Sequence, residues 1–312
     1  MRRAVIDVGT NSIKLLIAEV AGDAVEPVLE ESRQTRLGQG FYKAYRLQPE
    51  AVARTVEAVT EFAAKAKAQE AVSIKVIGTS AAREALNSLE LVQAIHRASG
   101  LNLEIISGEQ EADWAFRGVT TDPALATEPL LLLDVGGGST EFILGQGAQR
   151  QFASSYPLGT VRLLEQVPHG DPPQPAELAA CRQRVREFLR SQVRPELGAF
   201  LEHQRAISVQ VECVGTGGTA SFLGCMEARL DHFDRVRLEA TRLDTARLQW
   251  HTEHLWSLGL EERKRIVGLP ANRADVILTG VAIYEAVLSE FAFSELRLST
   301  RGLRFAAILA DH

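Results

Sequence analysis

Cysteine is scarce in this sequence. Cys181, Cys213 and Cys225 are three among 312 residues, and no two of them form a CxxC pair. An odd number at these spacings excludes a disulfide framework and offers no zinc or redox motif, and it fits free buried thiols in a reducing compartment. Long hydrophobic runs are missing as well, since no stretch of about 18 apolar residues occurs, which excludes a transmembrane helix and with it a membrane partner. Basic charge is in deficit, with 34 Lys and Arg against 40 Asp and Glu and a net charge of -6. That balance argues against a general nucleic-acid binder, whose phosphate contacts demand a broad basic face. A polyanionic ligand must therefore meet local positive charge. The start, Met1-Arg2-Arg3 followed by Ala4-Val5-Ile6-Asp7, puts an acid where a secretory signal needs an apolar core of roughly 7 to 15 residues, so a cytoplasmic protein is expected. The histidines are scattered. His251 and His254 stand three apart rather than the four of a zinc-binding HExxH helix, and read as surface or packing residues.

What is present describes a globular chain, 46% apolar and 24% charged, long enough at roughly 150 residues per domain for two domains. Its clearest feature is an internal repeat. Asp7-Val-Gly-Thr-Asn-Ser-Ile-Lys-Leu-Leu-Ile17 aligns without a gap on Asp134-Val-Gly-Gly-Gly-Ser-Thr-Glu-Phe-Ile-Leu144. In both copies an apolar run ends at the Asp, a turn of small residues follows, and a second apolar run begins. That pattern predicts a strand, a tight turn and a strand, with a carboxylate and several exposed backbone N–H groups at the tip. Glycine permits close approach of the backbone to a ligand, and successive N–H groups in such a turn form a concave anion site. One such turn is ordinary geometry; two imply related half-molecules facing one another across a ligand cleft, with Asp7 and Asp134 on its opposite walls.

Around the repeat the pattern alternates between strands and helices, the signature of α/β layers. It predicts a helix over Pro49–Ala68, a strand over Val72–Ile77, a helical stretch from Ala81, a helix capped by Ser88 and running to Ala98, a strand over Leu103–Ile106 and a helix over Glu109–Val119. In the second half it predicts strands at Leu130–Leu133, Thr140–Leu144 and Gln151–Tyr156, a helix from Val161, and one long helix over Ala176–Leu201. A strand over Val209–Val214 then runs into Gly215-Thr-Gly-Gly-Thr219 and a helix, Ala220–Arg229. A glycine turn at a helix N-terminus, here around Gly217, suits a phosphate or a carboxylate. Neither GxxxxGK[ST] nor GxGxxG occurs there, so P-loop and Rossmann nucleotide motifs are excluded.

The two Asp-Val-Gly turns, together with Gly78-Thr-Ser-Ala-Ala-Arg-Glu-Ala-Leu-Asn87, Ile106-Ser-Gly-Glu-Gln-Glu-Ala112, Gly159-Thr-Val-Arg-Leu163, Gly215-Thr-Gly-Gly-Thr219 and Arg273-Ala-Asp-Val-Ile-Leu-Thr-Gly280, resemble the exopolyphosphatase and guanosine pentaphosphate phosphohydrolase family in order and spacing. The resemblance spans almost the whole chain. It implies the actin, sugar-kinase and Hsp70 type of fold, ribonuclease H-like: two α/β domains, 1–124 and 125–312, closing on a phosphate-bearing substrate.

Hydrolysis of a terminal phosphoryl group needs a positioned water, a base beside it, neutralisation of the phosphoryl oxygens and a metal to hold the phosphates in line. By the resemblance Glu111 is the catalytic base, with Glu109 as a nearby rival. Asp134 and Glu141, one before and one after the turn, are candidate ligands for Mg²⁺ or Mn²⁺, directly or through water. Asp7 either adds a metal contact or fixes its own turn. Asn11, Ser12, Gly136, Gly137, Gly138, Ser139 and Gly217 are candidate phosphate holders, and Arg83 supplies the fork-shaped cation. Arg36, Lys43 and Arg46, in a glycine-containing loop, either track a longer phosphate chain or are solvated loop charges.

One segment departs from the family pattern. Ser299-Thr-Arg-Gly-Leu-Arg-Phe-Ala306 lacks the acid usual after Arg304. The chain also ends without the C-terminal helical domain of longer members, so a long substrate channel would have to be shorter or completed by a second subunit in a homodimer. The expected activity is metal-dependent release of terminal orthophosphate from inorganic polyphosphate. The alternatives are removal of the 5′-terminal phosphate of guanosine pentaphosphate, and a polyphosphate or nucleotide sensor without turnover.

Overall fold

The structure is a computed structural model that describes residues 1–310. The chain forms two compact units, Met1–Pro123 joined by the residues from Arg301 onward, and Ala124–Thr300. The domains expected from sequence, 1–124 and 125–312, therefore differ from the structure at the end of the chain, where the residues after Thr300 pack with the first unit. The physical reason lies in backbone contact. A Cβ on Gly118 would stand 1.9 Å from the Gly302 carbonyl oxygen, so the helix Gly108–Val119 and the segment entering the helix Leu303–Ala307 meet main chain to main chain. Phe305 and Ile308 are fully buried, and Arg304 donates to the Leu15 carbonyl at 2.9 Å and to the Glu30 carboxylate at 3.2 Å. Residues 311 and 312 of the expected second domain lie outside the described residues.

The first unit is built on strands β1 (Arg2–Val8), β2 (Ser12–Ala21), β3 (Ala24–Gln34), β4 (Ser73–Gly78) and β5 (Leu103–Ile105). Their order is β3-β2-β1-β4-β5. The first three strands form an antiparallel meander, and β4 and β5 join it in parallel. Central β1 is apolar without alternation at Ala4-Val5-Ile6 because both of its faces are buried. The helix Pro49–Ala68 has the bounds its sequence predicts. Pro49 opens it, and Ala58, Phe62 and Ala66, one turn apart, bury one stripe in the core. The helix Ser88–Ser99 begins after Asn87, and Ser88 is not its cap. The Asn87 side chain does not cap it either: it accepts from the Leu47 N–H at 2.8 Å and donates to the Leu47 carbonyl at 3.1 Å, pinning the preceding loop.

The second unit repeats this plan. Strands β6 (Pro129–Val135), β7 (Thr140–Gln146), β8 (Gln149–Tyr156), β9 (Glu212–Thr216), β10 (Arg242–Asp244) and β11 (Glu295–Leu298) stand in the order β10-β11-β9-β6-β7-β8. Again three antiparallel strands are joined by two parallel ones, β9 and β11, with β10 added at the edge. β1, β2, β3, β4 and β5 thus correspond to β6, β7, β8, β9 and β11. This duplicated mixed sheet is the α/β architecture of the actin, sugar-kinase and Hsp70 type. The long helix expected over Ala176–Leu201 is interrupted: Pro175–Phe188 gives way to a π-helical turn, Leu189–Val193, before Arg194–Ala206 resumes. Pro195 has no N–H to donate, and the Arg194 N–H reaches back to the Leu189 carbonyl, so the ladder slips by one residue. The helix Ile277–Phe291 is apolar nearly all round and is buried along most of its length. Among the described residues no helix is long and apolar enough to cross a membrane.

Candidate active site

Both repeated turns close in the same way. The Gly9 N–H donates to the Ser12 carbonyl at 3.0 Å, and the Gly136 N–H to the Ser139 carbonyl at 2.9 Å. A Cβ at either glycine would come within 2.9 or 3.1 Å of that carbonyl oxygen, so a side chain would press on the bond that shapes the turn.

In the second unit the carbonyls of the turn are taken up one after another by the chain that follows β8. The Gly136 carbonyl accepts from the Thr160 N–H at 2.9 Å, and the Gly137 carbonyl from the Val161 and Arg162 N–H groups at 2.8 and 3.2 Å. The Gly138 carbonyl accepts from Arg162 Nε at 2.7 Å. In a trans peptide the C=O and the following N–H point in opposite directions. Tying three successive carbonyls to one side therefore turns the N–H groups of Gly137, Gly138 and Ser139 to the other, as an anion nest requires. Among the described residues none of these three amides has an acceptor in the protein. The first turn is backed by a different element: the Thr10 carbonyl accepts from the Gly38 N–H at 2.7 Å, and the Asn11 carbonyl from the Thr35 and Arg36 N–H groups at 3.2 and 3.0 Å. Asn11 Oδ1 accepts from Gln34 at 3.2 Å, and Ser12 is buried at the start of β2.

The strand register sets the carboxylates. Asp134 is the direct cross-strand partner of Glu141, and Glu141 that of Ser155 on β8, so the three side chains share one sheet face. Ser155 Oγ donates to Glu141 Oε1 at 2.7 Å. Asp134 pairs on its other side with Thr216. There Gly217 has φ +85°, and a Cβ on it would lie 2.4 Å from Asp134 Oδ1. The glycine that opens the helix Gly217–Glu227 is thus required by the Asp134 carboxylate beside it. Below it, the Tyr284 hydroxyl donates to the Thr216 carbonyl at 3.0 Å. Burial, with the Asp134 charge adding to it, pushes the Tyr284 phenol well above its usual range and keeps it a donor.

Two opposed carboxylates, one with an oxygen oriented by a serine, are hard oxygen donors of the kind that could hold Mg²⁺ or Mn²⁺ with water and phosphate oxygens completing its shell. Among the described residues no group of three or more His, Cys, Asp or Glu side chains is placed to hold a metal ion. The first copy differs at the decisive position: Asp7 stands opposite Lys14, so its pair is one carboxylate and one ammonium.

Glu111 and Arg83, assigned separate roles from sequence, touch each other. Glu111 lies in the first turn of Gly108–Val119, whose cap Ser107 accepts from the Gln110 N–H at 3.1 Å. It is 7% exposed, whereas Glu109 is on the solvent side. Arg83 Nη1 donates to Glu111 Oε2 at 2.9 Å and to the Ile106 carbonyl at 3.0 Å. Lys43 and Arg46 are exposed, Arg46 standing 3.7 Å from Glu90. The loop Arg36–Phe41 supports the first turn through its backbone. His251 is a packing residue, buried with Nε2 2.7 Å from Glu227, and all three cysteines are free and buried.

Sequence reading gave no role to Ser155, or to Thr160 and Arg162 of the Gly159–Leu163 motif. The signal for Ser155 was available in the two-residue alternation of β8, which puts it on the Glu141 face. Arg162 is a charged residue among apolar and small neighbours in a buried helix turn.

Residues 16–311 match the Ppx/GppA phosphatase family. Exopolyphosphatase 2 of Mycobacterium tuberculosis is 34% identical over 93% of this chain and 90% of its own length. The Aquifex aeolicus PPX-GPPA enzyme superposes with a TM-score of 0.77 at 28% identity, covering 100% of this chain and 99% of that one. An exopolyphosphatase from Cytophaga hutchinsonii shares the fold with a TM-score of 0.85 at 24% identity, over 98% of this chain and 96% of that one. With a match across nearly its whole length and a relative above 30% identity, the chain belongs to the Ppx/GppA phosphatase family.

Proposed function

We propose that this chain is an exopolyphosphatase, releasing terminal orthophosphate from inorganic polyphosphate by metal-dependent hydrolysis. The observation that carries the reading is the pairing of a buried glutamate, Glu111, with a cation suited to phosphate, Arg83. The name of the Mycobacterium tuberculosis relative supports the substrate class.

The roles follow from the chemistry of each set. Glu111 takes the proton of the attacking water. Arg83 holds the Glu111 carboxylate and the Ile106 carbonyl, so the base is oriented before substrate arrives; its remaining guanidinium N–H groups are donors for phosphoryl oxygens. Asn11 and Ser12 at the first turn, and the Gly137, Gly138 and Ser139 amides at the second, hold phosphate oxygens, with Gly136 shaping the second turn. Asp134 and Glu141 would hold Mg²⁺ or Mn²⁺, whose positive charge would neutralise the phosphate oxygens. Asp7, opposite Lys14, either adds a contact to the metal or fixes its own turn. Three buried free thiols suit a protein of the reducing cytoplasm.

The test is phosphate release from polyphosphate chains of graded length with Mg²⁺, beside guanosine pentaphosphate. An exopolyphosphatase shortens the chain by one unit per cut and shows the higher kcat/KM on polyphosphate. Binding without phosphate release would favour a sensor.

A further inference from the structure

The second turn is shaped from behind by a buried charged side chain that no role above uses. Arg162 is 4% exposed, and its Nε donates at 2.7 Å to the carbonyl of Gly138. Its own backbone N–H donates at 3.2 Å to the Gly137 carbonyl. Arg162 thus grips two successive peptides of the turn, and each carbonyl it holds turns the next N–H, of Gly138 or Ser139, the other way. Gly159 lets this happen: a Cβ there would lie 2.5 Å from the Gly137 carbonyl oxygen. Thr279 supports the same stretch from the helix Ile277–Phe291, donating from Oγ1 to the Thr160 carbonyl at 2.8 Å.

We infer that Arg162 is a positioning residue for phosphate binding, acting through the Gly137, Gly138 and Ser139 amides without touching the phosphate. This deepens the proposed function and rests on it. Preorganised donors lose no freedom when the anion arrives, whereas a glycine turn released from its carbonyl anchors must be ordered each time. A charge-assisted hydrogen bond to the carbonyl also polarises the peptide, making the amide that follows a stronger donor. The first turn contains Thr10 and Asn11 in place of two glycines, and its carbonyls accept from the backbone amides of Gly38, Thr35 and Arg36. The all-glycine turn is the one given a buried guanidinium.

The experiment uses the full chain with Mg²⁺ and imidotriphosphate, a phosphate chain whose bridging nitrogen resists cleavage. Arg162→Met and Arg162→Lys are compared with wild type by calorimetric binding, by KM and kcat on polyphosphate, and by the amide ¹H–¹⁵N signals of Gly137 and Gly138. Arg162→Met is expected to bind imidotriphosphate about tenfold more weakly and to raise KM about tenfold, with kcat within about threefold, for loss of a charge-assisted hydrogen bond. Arg162→Lys, which keeps charge and a donor, is expected to recover most of the affinity. Imidotriphosphate should shift the Gly138 amide strongly in wild type and weakly in Arg162→Met. If Arg162→Met does not fold, Arg162→Gln, a neutral donor, is expected to fall between Lys and wild type on one side and complete loss on the other. Unchanged affinity in the folded neutral variant, or a fall in kcat with KM unaltered, overturns the role of Arg162. Wild type that neither binds imidotriphosphate nor releases phosphate overturns the phosphatase reading itself, and this inference with it.

Discussion

Arg83 Nη1 lies 2.9 Å from Glu111 Oε2, and the same nitrogen donates to the Ile106 carbonyl. The two residues follow neighbouring parallel strands: Arg83 comes after β4 and Glu111 after β5, and Val76 on β4 pairs with Leu103 on β5. Parallel pairing brings the chain leaving each strand to the same end of the sheet, where α/β proteins build their sites. In the proposed mechanism this cation orients the base, so changing either residue disturbs the other.

Arg83→Gln is accordingly expected to lower kcat as well as raise KM, because Glu111 loses its partner along with the phosphate donors. A combined loss in kcat/KM of about 10² to 10³ fits removal of one donor aimed at developing charge. Steady-state phosphate release checks it, and a change confined to KM would mean that Glu111 is positioned without Arg83.

Metal affinity should depend on the row that runs across the second sheet. Asp134→Asn is expected to raise the Mg²⁺ concentration for half-maximal activity by more than tenfold. Ser155→Ala, which removes the hydrogen bond from Ser155 to Glu141 Oε1, is expected to raise it by about tenfold, as loss of a partner orienting a ligand commonly does. Mn²⁺ binding followed by electron paramagnetic resonance gives the same order without turnover, and an unaltered titration in Asp134→Asn rejects its assignment.

Gly118→Ala should unfold more easily. Its Cβ would meet the Gly302 carbonyl at 1.9 Å, forcing apart the Glu111 helix and the C-terminal segment at a cost of about 1–3 kcal/mol. Phe305→Ala, at a fully buried position, should cost about 3–5 kcal/mol through the cavity it leaves. Chemical denaturation measures both.

His251 gives a pH signature. Burial pushes its imidazole below the ordinary value, with the Glu227 hydrogen bond opposing that effect in part. Unfolded chains take up this proton near pH 6.5 and the native protein resists it, so the stability is present above about pH 6.5 and declines as the pH falls below it. Wild type should therefore lose more unfolding free energy between about pH 7.5 and pH 5.5 than His251→Gln does.

The hairpins were legible in sequence because their geometry depends on residue type at fixed offsets. Asp7 and Asp134 end a strand, Gly9 and Gly136 allow the tight closure, and Ser12 and Ser139 accept it. The helix Pro49–Ala68 was legible for a similar local reason, having a proline start and a periodic apolar face. The pairing of Arg83 with Glu111 was not, because it depends on β4 and β5 being neighbours, which brings together two residues 28 apart in the sequence. The return of the last segment to the first unit was equally hidden: Gly118 carries no side-chain pattern, and only its contact with the Gly302 main chain requires it to be glycine. The absence of an acid after Arg304 has a structural counterpart, since Phe305 fills a core position where a carboxylate would be buried. The break at Leu189–Val193 was signalled by Pro195, whose missing N–H outweighs the helical charge pattern around it.

The central claim is that Glu111 activates water against the end of a phosphate chain. The most direct measurement is orthophosphate release from polyphosphate with saturating Mg²⁺, for wild type beside Glu111→Gln, with polyphosphate binding measured on both. Wild type should release orthophosphate, and Glu111→Gln should bind the chain while kcat falls by about 10² to 10⁴. A Glu111→Gln enzyme turning over at the wild-type rate, or a wild type that releases none, would contradict the account.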